Sequence, residues 1–252
     1  MSQPIAILTA MEQEGRLVEA SLDAHRQESW GGRRYVSGTV AQIPIVTAIS
    51  GFGKVAAAAT VAAVLERYRP AKVLFAGVAG GVGRGVAIGD IVVAESLVQH
   101  DFDARPLFDR FVVPSLGSAR ITADPALTDG LVTAAAEFLA KGGLDPAASS
   151  SGTYDPASVT VHRGTIASGD RFIASIADAS VLLRDLPDVL AVEMEGAAVA
   201  QVCTEAGVPF AVFRSISDRA DHLADADFLA FIESVAAPLT AGIVTEFLTA
   251  LS

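Results

Sequence analysis

One cysteine, Cys203, in 252 residues excludes an internal disulfide and any zinc site built from several thiolates. It sits in the apolar, helix-like stretch Ala197 to Ala206 and reads as a small core residue rather than a nucleophile. Basic residues are scarce. Lys and Arg total 18 against 29 Asp and Glu, a net charge of −11, so a nucleic acid or an anionic membrane would find no basic face. No uninterrupted apolar run reaches about 18 residues, so no membrane span is expected. The N-terminus lacks a basic region followed by an apolar stretch, so no secretory signal is expected either, and the chain reads as soluble and cytoplasmic. The histidines His25, His100, His162 and His222 are scattered without a pair at ligand spacing, so no metal is expected. His100, in Gln99-His100-Asp101-Phe102-Asp103, has carboxylates nearby, but hydrogen bonding or an interface is the stronger reading. Nor is there a phosphate-loop motif, and no G-x-S-x-G surrounds Ser215 or Ser217. In Gly77-Val78-Ala79-Gly80-Gly81-Val82-Gly83-Arg84-Gly85 the glycines miss the dinucleotide spacing, and Gly89-Asp90 and a strand follow instead of a helix. These glycines suit a sharp turn or the close approach of a neutral ligand, and no cofactor is expected.

What is present is a hydrophobic chain, 51% apolar and 19% charged, long enough for one large α/β domain spanning residues 1–252. Strand-like and helix-like stretches alternate. Ile43 to Ile49, Val73 to Ala76 and Ile91 to Val98 read as strands, the second opening into the glycine-rich loop. Lys54 to Tyr68 and Asp124 to Lys141 read as helices, the latter with Asp124 as N-cap before Pro125. Gly142 to Ser158 reads as a surface excursion, and a last helix runs from near Asp227 almost to Leu251. No internal repeat is visible.

Three apolar runs end in carboxylates. Ile5 to Leu8 breaks into Thr9-Ala10-Met11-Glu12-Gln13-Glu14, and Val189 to Val192 into Glu193-Met194-Glu195-Gly196. The run Val208 to Phe213 ends in Arg214-Ser215-Ile216-Ser217-Asp218. In open α/β sheets ligands bind beyond the carboxyl ends of the strands, and three such ends in a parallel sheet would share one edge. Each run also has a purely structural reading. Arg214 can pair with Asp218, and Glu14 and Glu195 can complement a helix dipole, worth about 0.3–1 kcal/mol each.

The segments Thr9–Glu14, Ser50-Gly-Phe-Gly-Lys54, Ala76–Gly81 with Gly89-Asp90, Ser168-Gly-Asp-Arg-Phe-Ile173, Val192-Glu-Met-Glu-Gly196 and Arg214–Asp218 occur in that order. Together they resemble the bacterial 5′-methylthioadenosine/S-adenosylhomocysteine nucleosidases of the purine nucleoside phosphorylase superfamily, over nearly the whole chain. The resemblance implies a single nucleoside phosphorylase-like α/β domain with a central mixed, partly barrel-like sheet flanked by helices, usually a homodimer. It implies hydrolytic release of adenine from a 5′-substituted adenosine. By the same resemblance Asp218 is the general acid toward the departing adenine, with Ser217 orienting it, and Glu14 the general base toward water, with Arg214 nearby. Glu195 accepts from the ribose hydroxyls, Met194 packs on the sugar, Phe172 stacks on adenine and the Ile173 backbone reads the base edge. Phe52 and Phe228 line the alkylthio end or pack in the core, as does Leu107, within the Asp101 to Pro114 segment that the partner subunit contributes in this family. Val78 stands where some of these nucleosidases carry serine.

Two alternatives compete. A phosphorylase of the same superfamily attacks with phosphate, gripped by an arginine and a serine or threonine; here those positions look like Phe75 and Val78, which cannot bind a dianion. A nucleoside-binding sensor on the same fold needs no acid and base on opposite sides of a sugar, whereas Glu14, Glu195 and Asp218 are all present. At the 5′ end, 5′-methylthioadenosine, S-adenosylhomocysteine, 5′-deoxyadenosine and 6-amino-6-deoxyfutalosine all stand as substrates.

Overall fold

A computed structural model describes residues 2–144, 155–219 and 227–251. His222 and much of the 142–158 excursion lie outside these residues. In chain order the elements are β1 (Ile5–Thr9), α1 (Glu12–Ala20), β2 (Asp23–Trp30), β3 (Arg33–Val40), β4 (Ile43–Ile49), α2 (Lys54–Tyr68) and β5 (Lys72–Gly81). Then follow β6 (Ile91–Gln99), β7 (Ile121–Thr122), α3 (Pro125–Ala140), β8 (Val161–Ser168), α4 (Ile176–Asp185), β9 (Val189–Glu193) and α5 (Gly196–Glu205). Strand β10 (Phe210–Asp218), α6 (Asp227–Phe231), a π-helical turn at Ile232–Ala236 and α7 (Ala237–Thr249) complete the chain.

Strand β5 is the pivot. Its first half pairs in parallel with β1 and with β10, and its glycine-rich second half pairs with β10 and, antiparallel, with β9. The circuit β5–β10–β6–β8–β9 closes on itself as a mixed five-stranded barrel. Strands β1, β4, β3 and β2 extend the sheet from β5. The glycine-rich stretch is therefore strand as far as Gly81, not loop as the sequence suggested. The reason is steric: a Cβ on Gly81 would lie 2.9 Å from Ile216 Cγ2, so barrel closure needs bare backbone there. The polar cluster 214–218 likewise lies inside β10, and the three carboxylate-bearing strands do not share one parallel edge, because β9 opposes β5.

Helices cover both faces. One core layer joins α1, α3 and α7 through Val18, Leu131, Leu239, Ile243 and Phe247, and a second joins α2 and α5 through Val61, Val64, Val199 and Cys203. Cys203 is fully buried, as its apolar surroundings suggested. Asp124 caps α3 by accepting from Leu127 N–H at 3.0 Å. The C-terminal stretch Phe228–Thr249 is long and apolar enough by composition to cross a membrane. Here Ile232, Val235, Leu239, Ile243 and Phe247 are buried in the core, the ordinary use of such a helix.

Candidate active site

A pocket opens beside the barrel where β1, β5, β9 and β10 end, bounded also by the turn before α2, the loop after β8, and α6. Glu14, Phe52, Val78, Phe172, Ile173, Met194, Glu195, Ser217, Asp218 and Phe228 all line it. Ten of the twelve residues singled out from the sequence thus meet in one place. Leu107 does not line the cavity of its own chain, being 83% exposed. Arg214, expected beside the attacking water, lies behind the wall instead.

Glu14 reaches the cavity through its helix. As the third residue of α1 its side chain turns back to accept from Met11 N–H at 2.8 Å and Ala10 N–H at 3.0 Å, as the acidic residue of a capping box does. Its other oxygen, Oε1, accepts from Val78 N–H on β5 at 3.0 Å. The carboxyl is almost fully buried, and burial holds its pKa above the ordinary range, with the Arg214 charge and the three backbone donors opposing that rise. Gly77 makes this approach possible: a Cβ there would stand 2.8 Å from Glu14 Oε1.

Glu195 and Glu193 divide two tasks that the sequence left merged. Glu193 accepts from the N–H groups of Glu195 and Gly196, at 3.2 and 2.8 Å, and so caps α5. It also bonds Ser168 Oγ and takes Arg214 Nη2 at 2.6 Å in an ion pair nearly sealed from solvent. The Arg214 guanidinium lies over the Phe75 ring at 4.3 Å, and that ring is fully buried beneath it. Glu195, relieved of capping, lines the cavity and accepts from Gly53 N–H at 2.7 Å. Burial, then the neighbouring Glu193 charge, pushes its pKa up to about 7. Sequence reasoning gave Glu193 no role, because its partners Ser168 and Arg214 are distant along the chain.

Strand β10 carries a bulge between Ile216 and Asp218 in its pairing with β5. Strict alternation would send Ser217 and Asp218 to opposite faces; the extra residue lets both line the cavity. Ser217 Oγ donates to Asp218 Oδ2 at 2.8 Å.

The raised Glu195 pKa has a measurable consequence. A carboxyl whose folded pKa lies above its unfolded value of about 4.5 favours the folded state at low pH, and that contribution is lost as pH rises through about 7. Glu14 acts in the same direction, and His100, whose ring burial holds below its usual pKa, acts in the opposite one. Ligand-free Glu195→Gln is therefore expected to melt above the wild type at pH 8, with the difference shrinking toward pH 5. Equal melting-point differences at both pH values would contradict the assignment.

A family model described as the phosphorylase superfamily matches residues 4–249. A 5′-methylthioadenosine/S-adenosylhomocysteine nucleosidase of Geobacillus thermodenitrificans is 33% identical over 245 residues, covering 97% of this chain and 95% of its own. The crystal structure of the nucleosidase of that name from Neisseria meningitidis, in complex with methylthio-immucillin-A, superposes with a TM-score of 0.86 at 32% identity, covering 99% of this chain and all of the other. A Helicobacter pylori structure described as a futalosine hydrolase mutant gives 0.84 at 31% identity, with the same coverage. The chain belongs to the phosphorylase superfamily and, within it, to the 5′-methylthioadenosine/S-adenosylhomocysteine nucleosidases.

Proposed function

We propose that this protein hydrolyses the N-glycosidic bond of 5′-methylthioadenosine, S-adenosylhomocysteine or a closely related 5′-substituted adenosine, releasing adenine, with residues 1–252 acting as one domain. The observation that carries this is the buried Glu14 carboxyl, held at the cavity wall by three backbone N–H groups in one cavity with Glu195 and Asp218. Cleavage at an anomeric carbon passes through an oxocarbenium-like state, which needs a proton for the leaving group and an activated nucleophile. Asp218, oriented by Ser217, protonates the imidazole-ring nitrogen of adenine. Glu14 takes the proton of the attacking water as that water bonds to the sugar carbon.

Glu195 accepts from the ribose hydroxyls, and its negative form stabilises the cationic sugar. Its bond to Gly53 leaves the second oxygen for this work. Met194 packs on the sugar, Phe172 stacks on the base, and the Ile173 backbone reads the base edge. Phe52 and Phe228 face the 5′ substituent. Arg214 contacts no substrate; it acts on Glu14 from behind, and Glu193 holds it there.

Water rather than phosphate is the nucleophile. Phe75 is buried beneath Arg214, and Val78 offers the cavity an apolar side chain while its N–H is taken by Glu14. A phosphate beside ionised Glu14 would be repelled by about 1 kcal/mol per unit charge at roughly 4 Å even in bulk water, and by more where water is excluded. Phe52 and Phe172 are 66% and 53% exposed, and Leu107 is more exposed still. A second copy covering this side, with Leu107 of the 101–114 segment at the neighbouring cavity, makes the working unit a homodimer. It operates in the cytoplasm without a cofactor. Adenine should appear from 5′-methylthioadenosine in phosphate-free buffer at a rate that added phosphate leaves unchanged. Release that required phosphate would make the enzyme a phosphorylase.

A further inference from the structure

The N-cap of α2 is Gly53, which has no side chain to satisfy the free N–H groups of the first turn. Two carboxylates from distant segments do so. Gly53 N–H goes to Glu195 Oε1 and Lys54 N–H to Asp170 Oδ1, both at 2.7 Å. Asp170 stands two residues before Phe172, and its own N–H donates to Asp101 Oδ2 at 2.8 Å. Asp101 Oδ1 in turn accepts from Lys54 Nζ at 2.6 Å, and Gln99 Oε1 from the same ammonium at 3.1 Å. Lys54, Asp170 and Asp101 thus close a ring of three hydrogen bonds. The ring joins the turn that carries Phe52 to the loop that carries Phe172.

The fit is close. Gly53 has φ +89°, in the region that favours glycine, and a Cβ there would sit 3.0 Å from Asp170 Oδ1. The turn therefore rests directly on that carboxylate. Phe52 depends on this seat for its position, since its own side chain is largely exposed in the isolated chain.

We infer that Asp170 is a positioning residue for the 5′ side of the substrate: it seats the Gly51–Lys54 turn so that Phe52 meets the 5′ substituent. This rests on the nucleosidase reading above. Removing the Asp170 side chain frees the Lys54 N–H but leaves the Asp170 N–H bonded to Asp101, so the Phe172 loop keeps its anchor. The loss should therefore fall on the 5′ end and spare the base.

The experiment compares wild type, Asp170→Ala and Asp170→Asn on 5′-methylthioadenosine and on adenosine, together with inhibition by adenine. Asp170 is exposed, so the variants should fold, and thermal melts check this. Asp170→Ala is expected to raise KM for 5′-methylthioadenosine by about 3- to 10-fold, an interval around the typical loss of a helix cap. Its kcat, its KM for adenosine and its inhibition by adenine should each stay within about twofold. Asp170→Asn keeps an acceptor that serves helix N-termini equally well, and should match the wild type. An equal loss on both nucleosides, an equal loss in the Asn variant, or no loss in the Ala variant would each overturn the inference while leaving the nucleosidase reading intact. A wild type that releases adenine from neither nucleoside would remove both.

Discussion

Glu14→Gln is expected to lower kcat for adenine release by about 10²- to 10⁴-fold, the usual contribution of a positioned general base. Nucleoside binding should persist, because the amide has the same shape and can still accept from backbone N–H groups. Gln retains one oxygen for the donors at Ala10, Met11 and Val78, so the local fold should hold, although the amide nitrogen must face one of them. In the wild type the working form of Glu14 is the carboxylate. Burial raises its pKa, so activity should decline on the acid side at a pH above that of an ordinary glutamate. Adenine release by Glu14→Gln within threefold of wild type, in a steady-state assay on 5′-methylthioadenosine, would remove Glu14 from the chemistry. Retained binding by calorimetry with abolished turnover separates a hydrolase from a sensor, whose function would survive the change.

Much of this site was legible because polar residues interrupt apolar runs at the ends of β1 and β9 and within β10. What the sequence hid was the extent of those strands. Phe213 looked like the end of β10 because Arg214 to Asp218 are polar, yet strand geometry continues to Asp218. Burial there is tolerable because Asp218 is bonded by its neighbour Ser217 and Arg214 is paired with Glu193, the second a contact that no local pattern announces. The glycines of β5 likewise read as a loop until closure of the barrel supplied partners on both edges. Strands β2 and β3 were not visible at all: β2 is Asp-Ala-His-Arg-Gln-Glu-Ser-Trp, an almost wholly exposed edge strand with no apolar alternation. Helices α2 and α3 were recovered nearly to the residue, since Pro70 bounds one and Asp124-Pro125 opens the other. The split between Glu193 and Glu195 depended on a tertiary partner, Arg214, lying 21 residues beyond the first of them.

Arg214→Leu should be the most destabilising single change at the site, by about 3–5 kcal/mol, because it leaves the Glu193 charge buried without its cation. Arg214 and Glu193 side chains are 1% and 3% exposed, so water cannot take over the lost interaction. Glu193 keeps its bonds to Ser168 and to the Glu195 and Gly196 N–H groups, which argues for the lower half of that range. Adding Glu193→Gln to Arg214→Leu removes the stranded charge and should recover part of the loss. Urea denaturation of the two single variants and the double variant measures this coupling. A loss below about 1 kcal/mol for Arg214→Leu, or strict additivity in the double variant, would show that the pair does not function as a buried unit. Removing Arg214 also takes away a positive charge that favours ionised Glu14, so any remaining activity should require a higher pH.

In the proposed reaction water, deprotonated by Glu14, attacks the anomeric carbon of the sugar. Turnover of 5′-methylthioadenosine in ¹⁸O-labelled water containing unlabelled phosphate, with the sugar product trapped by reduction before its anomeric oxygen exchanges, tests this directly. Attack by water puts one labelled oxygen at the anomeric carbon and yields no sugar phosphate. An unlabelled sugar 1-phosphate as the first product would contradict it.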